Sequence, residues 1–227
     1  MKNLIILTGA GISAESGIAT FRDMGGLWEQ YDIMEVASPE GWEKNRALVL
    51  DFYNQRRKQL QDIEPNYGHI GLVELEKYFN ITIITQNVDN LHERAGSKNV
   101  FHLHGELTKV RSTGDENLIY ELDGWELKEG DLCEKGYQLR PHIVWFGEAV
   151  PAIEEAIKIA QTADIFVVIG TSMAVYPAAS LINYVPENCS KFLIDPNEVM
   201  VSGDVKIYKN KASEGVKLLM KDLEKLK

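Results

Sequence analysis

Short apolar runs alternate with amphipathic stretches along most of this chain. Seven runs rich in Ile, Leu and Val have the character of buried strands: LIIL (4–7), ITIIT (81–85), VFHLH (100–104), HIVWF (142–146), IFVVIG (165–170), KFLI (191–194) and VKIY (205–208). Helical patterns lie between them, over 66–78, 151–162 and 212–226. This alternation predicts an α/β fold with a mostly parallel sheet and helices on both of its faces.

Two segments depart from the alternation. Residues 24–63 have a largely helical pattern, while residues 108–141 are polar, contain several glycines and show no sustained period. We predict that these two insertions together form a small lobe outside the sheet. The sheet domain would then consist of residues 1–23, 64–107 and 142–227.

The composition supports a folded domain with an acidic surface. The 227 residues are 44% hydrophobic, which is enough for a substantial core. Asp and Glu outnumber Lys and Arg by 34 to 24, and the chain has no long basic run, so we expect no nucleic acid partner. The acidity suits cationic partners such as lysine-bearing peptides, or it serves only to keep the protein soluble. We expect a monomer.

The sequence predicts no targeting or membrane segment. The opening MKNLIILTGAG has too short an apolar run for a signal peptide, and no later stretch approaches the roughly 20 apolar residues of a membrane helix. Cys133 and Cys189 stand apart without a CxxC pair, which favours the reduced thiols of a cytoplasm. We therefore expect a cytoplasmic protein.

The first predicted strand leads directly into the segment TGAGISAESGIATFR. Gly9, Gly11 and Ala14 match the G-x-G-x-x-G/A spacing, which allows a tight turn, a close backbone approach to a pyrophosphate and close packing of a following helix. Glycine turns after strands also occur in proteins that bind nothing. The position between a strand and a predicted helix favours dinucleotide binding.

Three further polar clusters follow predicted strands: TQNVDNLH (85–92), HLHGEL (102–107) and GTSMAVYPA (170–178). Each one alone could be a capped helix start or a simple turn. Because the carboxyl ends of parallel strands lie at one edge of a sheet, the clusters together predict a ligand crevice at that edge.

These motifs, together with TFR, GGLW, PNYGH and VWFGE, follow one another as in the sirtuin (Sir2, class III) family of NAD-dependent protein lysine deacylases. The chain resembles this family from about Leu4 to Ala212. The resemblance implies a Rossmann-like NAD domain with a small lobe, NAD as co-substrate, and an acyl-lysine protein or peptide bound in the cleft between them.

The resemblance also implies site residues. It assigns the pyrophosphate to Gly9, Ala10, Gly11 and Ser13, the nicotinamide ribose to Phe21 and Arg22, and the ribose and carboxamide pocket to Gln86, Asn87 and Asp89. It assigns the adenosine side to Gly170, Thr171, Ser172, Ala212 and either Asp195 or Asn197. The substrate peptide would pair as an added strand with Val144, Phe146 and Gly147.

His104 corresponds to the family's catalytic base, and Asn87 is the second catalytic residue that the resemblance implies. In the implied mechanism the acyl oxygen attacks the anomeric carbon, nicotinamide leaves, and His104 takes a proton through the ribose hydroxyls. The products would be lysine, nicotinamide and 2'-O-acyl-ADP-ribose. An unperturbed pKa of about 6.5 lets histidine accept this proton near neutrality. His102 points to the same side by strand alternation and is the residue most easily confused with it.

The chain departs from most sirtuins in the segment that usually binds zinc. The first CxxC pair is absent from LTKVRST, and only Cys133 remains of the second. Since a structural zinc takes four ligands, we predict that no zinc binds. The lobe would then be held by packing of its apolar residues, which are Leu118, Ile119, Tyr120, Leu122, Trp125, Leu127 and Leu132.

The stretch FYNQRRKQL (52–60) carries an unusual arginine. Counting about 100° per residue places Arg56 within an apolar stripe, while Arg57 and Lys58 point elsewhere. Sirtuins that prefer acidic acyl groups carry a tyrosine and an arginine three residues apart, as Tyr53 and Arg56 are. The two lie about 60° apart on a helix and could share one succinyl, malonyl or glutaryl carboxylate. Alternatively, Arg56 pairs with a carboxylate of residues 112–137.

Other functions use the same pocket. The chain could be a general lysine deacetylase, an ADP-ribosyl transferase or NAD glycohydrolase, or a non-catalytic NAD-binding module. The intact HLHGEL and TQNVDN sequences argue against the last of these.

Overall fold

The computed structural model describes residues 1–19 and 31–226 and contains a six-stranded parallel sheet. Its strands are β1 (Asn3–Thr8), β2 (Asn80–Thr85), β3 (Val100–His102), β7 (Ile165–Ile169), β8 (Ser190–Ile194) and β9 (Val205–Tyr208), in the order β3-β2-β1-β7-β8-β9. All neighbouring pairs are parallel. The predicted α/β fold is therefore confirmed.

Seven α-helices are described: α1 (Ile33–Val36), α2 (Pro39–Lys44), α3 (Arg46–Gln61), α4 (Tyr67–Leu75), α5 (Leu91–Ala95), α6 (Ile153–Ala160) and α7 (Ala212–Leu223). Helices α4 and α7 pack on the face of the sheet that receives Leu4 and Ile6. Helix α6 packs on the opposite face, which receives Ile5 and Leu7. Side-chain alternation along β1 thus supplies both layers of the core. None of the described helices has the length and apolar character needed to cross a membrane.

A second sheet is antiparallel and separate from the main sheet. It consists of β4 (Gly105–Ser112), β5 (Ile119–Glu121) and β6 (Leu139–Ile143), in the order β5-β4-β6. The prediction that HIVWF (142–146) belongs to the parallel sheet is wrong. Gly105 pairs with Ile143, and the Val144 amide donates to the His104 carbonyl (2.9 Å), so this run follows β4 instead. Its apolar residues Ile143 and Trp145 pack against α3 rather than against the main sheet.

A polar clamp connects α3 to residues 125–127. Arg57, expected to point away, is buried, and its Nε donates to the carbonyl of Trp125 (2.9 Å). Asn54 donates to the Leu127 carbonyl (3.0 Å) and accepts from the Leu127 amide (2.9 Å) and from Arg57 (3.2 Å). We call Asn54 and Arg57 the Asn54–Arg57 clamp. It holds residues 125–127 through their backbone.

Packing of the lobe is therefore only partly as predicted. Leu127 is buried, and Tyr120 and Leu122 pack against the same core cluster as α3. Ile119 and Leu132, in contrast, are 44% and 54% exposed. Hydrogen bonds from the clamp side chains to the backbone therefore help to hold this segment in place, in addition to the apolar contacts that we predicted.

Asn54→Ala is expected to destabilise the protein by about 2–3 kcal/mol, because it removes two partly buried side-chain hydrogen bonds to the Leu127 backbone and one bond to Arg57, each worth roughly 1 kcal/mol. For a chain of this size the melting temperature should fall by about 5–10 °C. Gln61→Ala, an exposed position on the same helix, is the control and should change it little. Equal melting temperatures for the two variants would contradict a structural role for the clamp.

Candidate functional site

A cavity of about 520 Å³ lies at the carboxyl ends of β1, β2, β7 and β8, between the main sheet and the lobe. This is the crevice that open parallel sheets use for ligands. Its lining includes most of the residues predicted for the site: Gly9, Ala10, Gly11, Ser13, Tyr53, Arg56, Gln86, Asn87, Asp89, His104, Val144, Phe146, Gly147, Gly170, Thr171, Ser172, Asp195 and Asn197.

The glycine loop after β1 is pressed against the loop after β7. The Gly9 amide donates to the Ile169 carbonyl (3.0 Å), and the Gly11 amide donates to the Gly170 carbonyl (2.8 Å). A Cβ on Gly11 would lie 2.6 Å from the Gly170 Cα, which no real side chain tolerates. The glycines are thus required by the close approach of two backbones, and they leave the cavity wall here without bulky side chains. A pyrophosphate fits such a wall.

The predicted helix after this loop is replaced by two single-turn 3-10 helices, Ala10–Ile12 and Ala14–Ser16. The second ends at Gly17, whose φ of 96° is left-handed. Any preference for an anion at this loop therefore depends on local backbone amides and not on a long helix dipole.

Three polar side chains hold one another at the cavity wall. The Ser13 hydroxyl donates to Asp89 Oδ2 (3.1 Å) and accepts from Asn87 Nδ2 (3.2 Å). Asp89 Oδ1 accepts from the Leu91 amide (3.2 Å). Burial raises the pKa of Asp89, although the Leu91 amide and the Ser13 hydroxyl oppose this rise. The network fixes the orientations of Asn87 and Asp89 before any ligand binds.

His104 has the geometry of a general base. Its Nδ1 lies 3.1 Å from the Gln86 carbonyl oxygen. Because a carbonyl only accepts, Nδ1 must carry the hydrogen, which leaves the lone pair on Nε2. Burial lowers the pKa of His104, with the Gln86 carbonyl opposing the shift, so the ring is neutral near pH 7. His104 can therefore accept a proton in the cavity.

His102 is held in a different way. Its Nδ1 lies 3.1 Å from the Asn87 carbonyl and its Nε2 lies 2.7 Å from Glu93 Oε1. Burial lowers the pKa of His102, but the hydrogen bond and charge of Glu93 outweigh it and the net shift is upward. Of the described histidines, only His104 lines the cavity. The tertiary contacts thus distinguish His104 from His102, which strand alternation alone could not do.

Tyr53 and Arg56 lie on the wall formed by α3. Tyr53 is buried, and its oxygen accepts a hydrogen bond from Trp145 Nε1 (3.0 Å). Burial raises the pKa of Tyr53, so it remains a phenol and keeps a proton to donate. The Arg56 guanidinium carbon lies 5.6 Å from the Phe52 ring centroid and 5.7 Å from that of Tyr53. Burial lowers the pKa of Arg56, but arginine stays charged at neutral pH.

Sequence reasoning missed Trp145, which also lines the cavity. It lies between Val144 and Phe146, the two residues assigned to the substrate peptide. Strand alternation would have placed its side chain on the opposite side, toward α3, and this signal was available in the sequence.

The remaining predicted residues are placed as follows. Phe21 and Arg22 lie outside the described residues. Ala212, at the start of α7, is buried in the core cluster under the main sheet and lies away from the cavity lining. Asp195 and Asn197 both line the cavity, and the Asn197 amide donates to Asp195 Oδ1 (2.8 Å).

Two backbone amides of the segment that is expected to bind the peptide already donate hydrogen bonds within the protein. Val144 donates to the His104 carbonyl (2.9 Å), and Phe146 donates to the Ala37 carbonyl (3.0 Å). An added strand that pairs with these two residues would therefore bind their carbonyl oxygens.

Cys133, the one cysteine that remains of the family's zinc ligands, is a buried free thiol. Cys133 Sγ lies 3.3 Å from the Ser112 hydroxyl. Within residues 1–19 and 31–226, no three His, Cys, Asp or Glu side chains are grouped closely enough to hold a metal ion.

Comparison with known proteins places this site in context. The Sir2 family model matches residues 9–177. An NAD-dependent protein deacylase of Bacteroides thetaiotaomicron is 58% identical over 226 residues, which cover 96% of this chain and 97% of that protein. One from Helicobacter pylori is 60% identical over 198 residues, or 86% of this chain and 85% of that protein.

Solved structures with a similar fold also belong to Sir2 homologues. The crystal structure of a Sir2 homolog–NAD complex superimposes with a TM-score of 0.88 at 40% identity, covering 99% of this chain and 90% of the other. NAD is thus the co-substrate of this chain.

Proposed function

This chain belongs to the Sir2 family and is an NAD-dependent protein deacylase, and we propose that it prefers lysines whose acyl group ends in a carboxylate. Succinyl-lysine, malonyl-lysine and glutaryl-lysine are the proposed substrates, and acetyl-lysine is used more weakly. The products are free lysine, nicotinamide and 2'-O-acyl-ADP-ribose.

The observation that carries this preference is the presence of both Tyr53 and Arg56 on the wall of the cavity that contains His104. The guanidinium has five N–H donors and can bind a carboxylate through two of them. Tyr53 accepts from Trp145, so its own hydrogen is available for an acceptor inside the cavity. An acetyl group offers neither donor a charged partner.

The surroundings strengthen such a contact. Much of the cavity lining is apolar, with Ile18, Leu107 and Val150 among its residues. A charge-assisted hydrogen bond in a site shielded from water is stronger than one at the surface. It contributes about 1.5–3 kcal/mol, which corresponds to roughly one to two decades of relative efficiency.

The protein's residues have separate roles in the reaction. Bound NAD supplies the ribose carbon that receives the acyl oxygen when nicotinamide leaves. Gly9 and Gly11 allow the pyrophosphate to approach the backbone, while Asn87 and Asp89, fixed by Ser13, orient the ribose and carboxamide. His104 accepts a proton at Nε2, because its Nδ1 is committed to Gln86.

The test compares nicotinamide release from one peptide that carries either acetyl-lysine or succinyl-lysine. Wild type should prefer the succinyl peptide, and Arg56→Met should lower its kcat/KM by about 10- to 100-fold with a much smaller effect on the acetyl peptide. Arg94→Met is a matched control, because Arg94 itself does not line the cavity, and the loss of its bonds to the Leu60 carbonyl and Glu64 should leave the preference intact.

Two results would refute the proposal. Equal use of both peptides, with Arg56→Met lowering only the melting temperature, would make Arg56 a structural residue and the protein a general deacetylase. Nicotinamide release that needs no acylated peptide would instead identify an NAD glycohydrolase or an ADP-ribosyl transferase.

A further inference from the structure

Trp145 donates the hydrogen bond that fixes the Tyr53 hydroxyl. Its Nε1 lies 3.0 Å from the Tyr53 oxygen, and both side chains are almost fully buried. A phenol hydrogen lies in the plane of its ring and has two favourable orientations. When an N–H donor approaches the oxygen from one side, the hydroxyl hydrogen must turn to the other.

Trp145 itself is held by an ion pair whose two side chains are 10% and 19% exposed. The Arg140 guanidinium carbon stacks 3.3 Å from the centroid of the Trp145 ring. Arg140 binds Glu148 (2.7 Å), and Glu148 Oε2 accepts from the backbone amide of Trp145 (2.8 Å). Arg140 also donates to the Ile143 carbonyl (3.1 Å). The ring and the backbone of Trp145 are therefore fixed by the same pair of charges.

A second aromatic ring supports the same position. Trp42 of α2 lies 5.7 Å from Trp145 between ring centroids, and Tyr53 lies 6.4 Å from it. Trp145 thus has little freedom to move away from Tyr53. A hydrogen bond between two fixed side chains costs little further entropy, so it can define one orientation of the hydroxyl.

We propose that Trp145 is a positioning residue for acyl selectivity, whose indole N–H turns the Tyr53 hydroxyl hydrogen toward the acyl carboxylate. This inference rests on the proposed function, since it needs a carboxylate in the cavity. Without the indole donor, the phenol would rotate freely or bind water, and only Arg56 would stay aimed at the carboxylate.

Trp145→Phe tests this proposal because it keeps an aromatic ring under Arg140 and removes only the N–H donor and one ring. The ratio of kcat/KM for the succinyl peptide to that for the acetyl peptide should fall about three- to tenfold, the value of one neutral hydrogen bond. The fall should come mainly from a higher KM for the succinyl peptide. Replacing Trp145 with benzothienylalanine, an isostere without N–H, should give the same change if Trp145→Phe fails to fold.

A double-mutant cycle with Tyr53→Phe shows whether Trp145 acts through Tyr53. The double variant should have the same acyl ratio as Tyr53→Phe alone, because the hydroxyl that Trp145 orients is then absent. Trp125→Phe is a matched control, since the Trp125 side chain lies outside the cavity lining and its change should leave the ratio as in wild type.

Equal losses for both peptides in Trp145→Phe, or additive effects with Tyr53→Phe, would overturn the proposal and make Trp145 a packing residue. Its failure can be told apart from failure of the proposed function. If Tyr53→Phe and Arg56→Met both leave the acyl ratio unchanged, the acidic-acyl preference itself is wrong. If they lower the ratio and Trp145→Phe does not, only the role of Trp145 is wrong.

Discussion

His104→Ala is expected to lower kcat for deacylation by about 10²- to 10⁴-fold, the usual contribution of a positioned general base. The Gln86 carbonyl holds the Nδ1 hydrogen, so the loss removes the lone pair of Nε2 from the cavity. NAD binding should persist, because the glycine loop does not contact His104 through any of its described hydrogen bonds. Acyl-peptide-dependent nicotinamide release and calorimetric titration with NAD measure the two effects.

His102→Gln is the matched control for this experiment. It breaks the contact with Glu93 and should lower the melting temperature, while the folded protein retains most of its turnover. A His104→Ala variant that still turns over rapidly, beside an inactive but folded His102→Gln, would contradict the assignment of the base.

Gly105→Ala is expected to reduce both stability and activity strongly. Gly105 has a φ of 80°, and a Cβ there would lie 2.0 Å from the His142 carbonyl oxygen. Left-handed strain costs about 1–3 kcal/mol, and the forced separation of β4 from β6 adds to it, so we expect a loss of about 3 kcal/mol or more. The melting temperature should fall by about 6–12 °C. Because His104 is the preceding residue, kcat should fall as well.

Gly124→Ala is the control that separates the energetic cost of a left-handed backbone from the cost of a steric clash. Gly124 has a similar φ of 76°, but a Cβ there would meet nothing within 4 Å. We expect a loss of about 1 kcal/mol and unchanged turnover, measured by thermal denaturation and nicotinamide release. If both variants lost the same stability, the close contact between Gly105 and His142 would have no energetic role.

The main sheet could be predicted because its signal is local. Runs such as IFVVIG and LIIL are apolar throughout, and only a strand buried on both faces needs such a run. The same signal failed for HIVWF, since an apolar run shows that a strand is buried but not which sheet contains it. Pairing with β4 decided that question, and this pairing joins residues that are 27 to 38 positions apart.

The site could be predicted in part for a similar reason. Its glycine loop and its polar clusters each follow a strand, and parallel strands bring such ends together. The distinction between His102 and His104 came from the sirtuin resemblance and not from strand alternation, because both residues extend from the same strand end. It depends on Glu93, which α5 brings to His102, and on the cavity, which several distant segments enclose.

Arg57 shows the limit of reasoning from one helix. The angular count assumed a single buried face, but α3 is covered on two sides, by the core under Phe52 and by residues 125–127. The second side is formed by a segment 68 positions later in the chain, and no pattern within α3 refers to it.

The sequence by itself determined which runs form buried strands, where the glycine loop lies, that His104 is the expected base by resemblance, and that Tyr53 and Arg56 share one helix face. These features depend on periodicity and on neighbours within a few residues. Only the tertiary structure decided that His104 lines the cavity while His102 contacts Glu93, how Arg57 and Asn54 hold residues 125–127, and that Trp145 donates a hydrogen bond to Tyr53. Each of these requires a hydrogen-bond partner from a distant segment, and the free energy of such a contact exists only after the chain has folded.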